Sequence, residues 1–394
     1  MRMKLWLYLI LSVCFMLAVG FLYYSSWRIS LRVWVHKSLY DEQGFLLKLD
    51  GTLSLELTYK YGNLSKGACK PGFAAAKMTA IYPKFNKLAP VFLDLNYKRF
   101  AKIGDYPPPF GVKSQERIID HLLSVTKNYG LGENLDIISC KTCIIMGNGG
   151  ILINKSLGQQ IDGFDVVVRL NQAPVKGYEK DVGSKTTLRI TYPEGAIQKI
   201  DQYEDQSLFV LSAFKAQDFK WLRYMVFKQG LHNTNGFWKS VARHVPREAS
   251  DMRILNPYFI QEASFQLIGF PHNNGQMGKG NIPTLGTVAI TMALHNCDEV
   301  AVAGFGYNLN TPHAPLHYYE KISMSAIKES WTHNIIKENK FLRKLHQTRK
   351  PRNKKTCQRA PGSSPPLQTD TVKTLHCQDH QQWMMGHQDQ FTCC

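Results

Sequence analysis

The chain has 394 residues, of which 44% are hydrophobic and 20% charged, and its formal net charge is +18. Such a composition fits a globular fold with a sizeable core and excludes collagen-like and wholly disordered chains. Only residues 5–24 are uncharged and mostly apolar for a bilayer's thickness, roughly 30 Å as a helix, so polytopic membrane proteins are excluded as well.

Taken in chain order, Arg2 and Lys4 precede that apolar stretch and Ala18-Val19-Gly20 resembles a small-residue cleavage site. A 20-residue span exceeds the h-region of a signal peptide, so an uncleaved single-pass anchor is expected at 5–24, with 1–4 as a cytosolic tail. Arg28, Arg32 and Lys37 outnumber Arg2 and Lys4, and the positive-inside count therefore does not itself favour a cytosolic N-terminus. The short N-terminal flank and the long folded part after the anchor favour a lumenal body. Residues 25–63 show no sustained period and read as a stem.

A body follows over 64–345. Short β-branched apolar runs at 144–146, 166–170, 187–192, 208–214 and 300–303 read as buried strands, and helical periods lie between them at 114–129, 284–295 and 323–345. Strands alternating with helices predict an α/β fold, a mostly parallel central sheet flanked by helices on both faces. Ligands of such sheets sit at the carboxyl ends of the strands. Past 345 the composition changes to a Pro-, Gln- and His-rich tail with seven Lys+Arg and three Asp+Glu, too poor in large aliphatics to offset chain entropy, and 346–394 is expected to be disordered. The excess positive charge of the body suits an anionic ligand. Its basic residues are dispersed and accompany no nucleic-acid-binding pattern, so no nucleic-acid partner is expected.

Several motifs could carry chemistry. Gly147-Asn148-Gly149-Gly150 follows the first strand directly, where glycines let backbone N–H groups approach a phosphate or ribose. Leu152 stands where a dinucleotide fingerprint needs its third glycine, which removes the main support for an NAD enzyme. Cys140-Lys-Thr-Cys143 precedes its strand, unlike a thioredoxin-type pair, and Cys69 and Cys297 are isolated, unlike zinc ligands. Structural disulfides are the favoured use of these four cysteines, which fits an oxidising compartment. Asn63-Leu-Ser65 and Asn154-Lys-Ser156 are glycosylation sequons. No Asp-x-Asp occurs, so a nucleotide-sugar reaction here should need no metal. His317 and His333 lie after the last strand, where loops and helix starts build such sites.

These segments together resemble the animal sialyltransferases, glycosyltransferase family 29. The large sialyl motif looks to run from Cys140 through Asn148, Asn171, Asp181-Val-Gly-Ser-Lys-Thr-Thr187 and Tyr192-Pro-Glu194; the small motif from Pro283-Thr-Leu-Gly286 through Cys297-Asp-Glu-Val300 to Gly304-Phe-Gly306. His317-Tyr-Tyr-Glu320 is similar to the third motif, and His333 with Glu338 to the very small motif. Ala68-Cys-Lys-Pro-Gly72, Arg189-Ile-Thr-Tyr-Pro-Glu194 and Arg253-Ile-Leu-Asn-Pro-Tyr258 are similar to the branch forming α-2,3 linkages on Galβ1,3/4GlcNAc termini of glycoproteins.

The resemblance implies a single Rossmann-like domain of the GT-A-like variant kind, CMP-N-acetylneuraminate as donor, inversion at the anomeric carbon, no cofactor and no metal. It implies His333 as general base and His317 as the phosphate-contacting histidine. Asn148 and Asn171 would contact the nucleotide, Gly286 and Gly306 would approach the cytidine, and Thr284 would also bind substrate. Cys143–Cys297 and Cys69–Cys140 would be the bridges, and the protein would be a type II Golgi membrane protein acting on galactose-terminated glycans. The tail departs from the family, whose members usually end in a short apolar strand; an inactive or misfolded product is the alternative.

Overall fold

The computed structural model describes residues 6, 15–21, 47–49, 55–65, 67–85, 89–100, 103–272, 280–305, 311–329 and 332–346. A seven-stranded sheet forms its centre: β1 (Leu47–Lys48), β2 (Thr142–Met146), β3 (Val166–Leu170), β4 (Leu188–Thr191), β5 (Leu208–Leu211), β6 (Met252–Ile254) and β7 (Glu299–Ala303). The spatial order is β1-β7-β2-β3-β4-β5-β6, with every pair parallel except β1 against β7. Six α-helices after β1 with seven residues or more are labelled: α1 (Leu55–Tyr61), α2 (Phe73–Ile81), α3 (Glu116–Thr126), α4 (Ala216–Val226), α5 (Leu285–Asn296) and α6 (Ile335–His346).

Strand side chains alternate between the two faces with a period of two. Cys143, Ile145, Val166, Val168, Leu188 and Ile190 pack toward α5 on one face. Ile144, Met146, Val167, Ala301 and Ala303 point to the other, under Leu152, Ile161 and Val182. Beyond them on that face, Phe209, Leu211, Met252 and Ile254 meet α3 and α4. Both faces are covered, which is why the strands read as unbroken apolar runs rather than as alternating ones.

Helix α5 is the inner helix. Eleven of its residues are buried, and Thr284 caps it by accepting the Thr287 N–H at 3.3 Å. Its β-branched Thr287, Val288, Ile290 and Thr291 are indifferent helix formers, so packing rather than propensity holds it helical. Cys297 follows directly and bridges to Cys143 of β2, with Cα atoms 6.0 Å apart, while Cys69 bridges to Cys140. Both expected bridges are therefore present.

The chain lays down β2 through β6 in one direction and then returns to place β7 beside β2. This reversal brings the loops after β2 and β7 together. Gly147 N donates to Ala303 O at 2.7 Å and Gly149 N to Gly304 O at 3.0 Å. Gly304 has φ +73°, and a Cβ on Gly149 would lie 2.6 Å from the Gly304 carbonyl, so neither glycine can be replaced without moving backbone.

Several expectations need correction. The helix expected over 323–345 is broken into a 3₁₀ turn, Met324–Glu329, and α6. Strand β6 went unpredicted because three residues with a central arginine carry no periodicity. The disfavoured dinucleotide-binding reading gains nothing from the strand order, which differs from 3-2-1-4-5-6. Residues 47–49 and 55–61, inside the segment read as a stem, supply β1 and α1, and Leu49 is buried in the main core.

Of the expected anchor, only Trp6 and residues 15–21 are described; they are helical and exposed, and the remainder lies outside the described residues. Among the described residues no helix is long and apolar enough to cross a membrane. The basic tail beyond His346 lies outside them too.

Candidate active site

The carboxyl ends of β7, β2, β3, β4 and β5 open onto one cavity of about 880 Å³. Asn148, Asn171, Thr284, Gly286, His317 and His333 all line it. Residues separated by as many as 185 positions thus share one surface, while Gly306 lies outside the described residues.

Two buried arginines shape the loop after β3. Arg169 of β3 donates to the carbonyls of Val182 and Lys185, each at 2.8 Å. Arg189 of β4 donates to the carbonyls of Asn171 at 2.7 Å and Ala173 at 3.0 Å and pairs with Glu204. Burial pulls Arg169 down to about 10. Held this way, Asn171 adopts φ +53° and its Oδ1 accepts from the Thr191 hydroxyl at 3.3 Å. Arginine on a buried strand is thus a loop-positioning device here, since its donors reach several carbonyls at once.

His317 rides on the glycine loop. Gly150 N donates to Leu316 O at 3.1 Å and Tyr318 N to Asn148 O at 3.0 Å, so residues 316–318 lie along 148–150 like a short added strand. The ring stacks nearly parallel to Tyr319, centroids 5.4 Å apart, and Nδ1–H donates to the Glu320 carboxylate. Nε2 is then the nitrogen left for a ligand. Such a histidine can donate through Nε2 only as the imidazolium, and Glu320 balances that charge.

His333 is held differently. Asn334 Oδ1 accepts the Lys337 N–H at 3.1 Å and so starts α6 at Ile335, leaving His333 in the preceding turn. Its Nδ1–H donates to the backbone carbonyl of Ile282 at 2.9 Å, and Ile282 N returns a long bond of 3.4 Å to Thr332 O. A neutral carbonyl on Nδ1–H leaves Nε2 with a lone pair, the form that takes a proton.

Glu338 braces this turn. It is buried on α6 and accepts from Thr284 N at 3.0 Å, from Thr284 Oγ1 at 2.5 Å and from Thr287 Oγ1. Burial raises its pKa above the ordinary carboxylate range, against the lowering effect of those hydroxyls and of His333. The buried stripe of α6 is Ile335, Glu338, Phe341, Leu342 and Leu345. Glu338, paired with His333 in the sequence resemblance, is thus a carboxylate on an apolar stripe.

The other sequence candidates fall away from the cavity. Asn63 and Asn154 are exposed, and Asn154 has φ +59° with its N–H on Asp181. Glu194, Lys215 and Trp238, which the sequence did not single out as site residues, do line the cavity.

The sequence profile of glycosyltransferase family 29 (sialyltransferase) matches residues 94–350. The chain is 60% identical, over 86% of its length and 95% of the relative's, to the mouse CMP-N-acetylneuraminate-beta-1,4-galactoside alpha-2,3-sialyltransferase. The human protein of that name is also 60% identical, over 86% of this chain and 95% of its own. Human lactosylceramide alpha-2,3-sialyltransferase is 40% identical over 70% of this chain and 68% of its own length. Among solved structures, the crystal structure of a mammalian sialyltransferase matches with a TM-score of 0.53 at 24% identity, covering 71% of this chain and 94% of that one. That match speaks for the fold.

Proposed function

Because the chain belongs to glycosyltransferase family 29, the sialyltransferases, we propose that it transfers N-acetylneuraminic acid from CMP-N-acetylneuraminate to the 3-hydroxyl of terminal galactose on Galβ1,3/4GlcNAc glycans of glycoproteins. The 60% relatives support this acceptor over the lactosylceramide of the 40% relative. The observation that carries the chemistry is the pair of histidines on one cavity, differently anchored through Nδ1.

In this reading, His333 Nε2 takes the proton of the galactose 3-hydroxyl as that oxygen attacks the anomeric carbon. The bond from that carbon to the CMP phosphate oxygen breaks on the opposite face, and the configuration inverts. The leaving phosphate carries the electron pair away and is received by His317 Nε2–H, beside the glycine loop whose own N–H groups at Gly147, Gly149 and Gly150 are spent on carbonyls. Asn148 and Asn171 hold the nucleotide, Gly286 and Gly306 serve the cytidine, and Thr284 binds substrate. No metal and no cofactor take part. The sheet serves as a single Rossmann-like domain of the GT-A-like variant kind, set in the Golgi lumen behind a single-pass type II anchor at 5–24. Exposed sequons at Asn63 and Asn154 fit that route.

A competing reading, an inactive family member altered at its C-terminus, rests on one observation: the family match ends at residue 350 while the chain runs on to Cys394. One assay decides. The full chain, incubated with CMP-N-acetylneuraminate and Galβ1,4GlcNAc or Galβ1,3GlcNAc, should yield α-2,3-linked product in EDTA as well as without it. No product from folded protein supports the competing reading, and restoration only by Mn²⁺ rejects the metal-free one.

A further inference from the structure

At the β4–β5 end of the cavity, away from both histidines' loops in sequence, stands a lysine held by two acids. Lys215 follows β5 and lines the cavity. Its Nζ donates to Glu194 Oε1 at 2.7 Å and lies 2.9 Å from Asp218 Oδ1, an ion pair outside hydrogen-bond geometry. Glu194 and Asp218 are both fully buried, with Glu194 Oε2 unpartnered. Asp218 is itself fixed by the backbone N–H groups of Phe214 at 2.7 Å and Lys215 at 3.2 Å. An ammonium has three N–H donors: one bonds Glu194, Asp218 meets the charge from a second side as an ion pair only, and a third is left for a ligand.

The surroundings are aromatic. The Phe237 ring lies 5.0 Å from Nζ, Tyr192 packs edge-on against Phe214, and Trp238 is 70% exposed at the rim of the cavity. Flat apolar faces beside one directed donor fit a sugar ring and its hydroxyl. Two carboxylates against one ammonium give a cluster that is negative, or neutral once Asp218, whose pKa burial raises, is protonated. The donor substrate carries a phosphate and a carboxylate and is better served by His317 and the amides of Asn148 and Asn171. The acceptor is neutral.

Resting on the function proposed above, we propose that Lys215 is a specificity-determining residue whose third N–H donates to a hydroxyl oxygen of the acceptor galactoside, with Glu194 and Asp218 as its positioning residues.

The test is a cycle on the full chain between enzyme and acceptor. Lys215→Met strands two buried carboxylates, so it is paired with the neutral variant Glu194→Gln/Lys215→Met/Asp218→Asn, which keeps the volume. Each is assayed with methyl Galβ1,4GlcNAc and its galactose 2-, 4- and 6-deoxy analogues. A charged donor on a hydroxyl corresponds to a factor of about 10 to 100. Wild type should lose that factor in kcat/KM with one analogue, and the neutral variant should show no further loss with it. The acceptor KM should rise in the variant while the KM for CMP-N-acetylneuraminate stays within about twofold.

A rise confined to the donor KM overturns the proposal, as does a deoxy penalty that persists in the variant. If wild type takes all three analogues as well as the parent, the proposal falls whether or not the variants fold. Calorimetric titration of the parent acceptor, with CMP present, reads the contact without turnover. A chain that binds acceptor in a Lys215-dependent way but transfers no sialic acid sinks the proposed function alone, and equal acceptor affinities in wild type and neutral variant sink this one.

Discussion

The loops after β2 and β7 are locked by backbone: glycine against glycine, ladder hydrogen bonds on both sides, and the Cys143–Cys297 bridge beneath. The described residues of 311–346 are built otherwise, from turns, a 3₁₀ piece and one outer helix, tied to the rest by a short backbone pairing at 316–318 and by single side chains such as His333, Glu338 and Tyr318. The first region makes a close-packed floor to the cavity. The second supplies groups that carry or move a proton. Damage to the first should therefore appear as lost folding, and damage to the second as lost turnover in a folded protein.

The largest effect is expected from breaking the floor. The Cys143–Cys297 bridge spans 154 residues, for which chain entropy gives roughly 5 kcal/mol, comparable to the whole stability of a domain. Cys297→Ser should abolish secretion of folded protein; a Cys297→Ser enzyme with the wild-type melting temperature would reverse the contrast. Next comes His333→Ala, for which turnover should fall about 10²–10⁴-fold with melting temperature and CMP affinity nearly unchanged. Parallel loss of CMP affinity, measured by calorimetry, would move His333 to the nucleotide's side.

A smaller effect sharpens the division within the wall. Glu320→Gln keeps an oxygen for His317 Nδ1–H but removes its countercharge, and should lower kcat/KM by about 10-fold, with weaker CMP binding rather than a lost proton-transfer step. An effect on the acceptor KM alone would count against it.

The smallest is a pH slope. Burial raises the folded pKa of Glu338, so the folded state binds more protons than the unfolded one between the two values. Its contribution is fully present below the unfolded carboxylate value and is lost as pH rises through the folded one. Measured against Glu338→Gln, the wild-type melting temperature should fall as pH rises from the ordinary carboxylate range. A pH-independent difference would mean that Glu338 has the same pKa folded and unfolded.

Much of the fold was legible because the physics is local. The run at 166–170 coincides with β3 at both ends, since three valines and a leucine among its five buried positions leave little alternative, even with Arg169 between them. The helical period read at 284–295 matches α5 to within one residue at each end, and Thr284 proves to be its cap. The region 323–345 misled because its apolar period runs straight through the break, whose position is set by Asn334 capping α6 and by Ile282 holding His333 across a sequence distance of 51.

By itself the sequence determined the class of the sheet, the four bridging cysteines, and the residue types of the site: a glycine-rich loop after a strand, two asparagines and two histidines in the order of a known family. What each side chain does was decided only in three dimensions. His317 and His333 are alike in sequence, and they differ because one Nδ1–H meets a carboxylate and the other a backbone carbonyl. Lys215 belongs to no motif and gains its meaning from Glu194 and Asp218, which the β4 and α4 termini carry to it. Propensity and periodicity act over a few residues and survive in the sequence. Hydrogen-bond partners and desolvation act over a few ångströms between segments far apart in the chain, and exist only once the strands have been laid side by side.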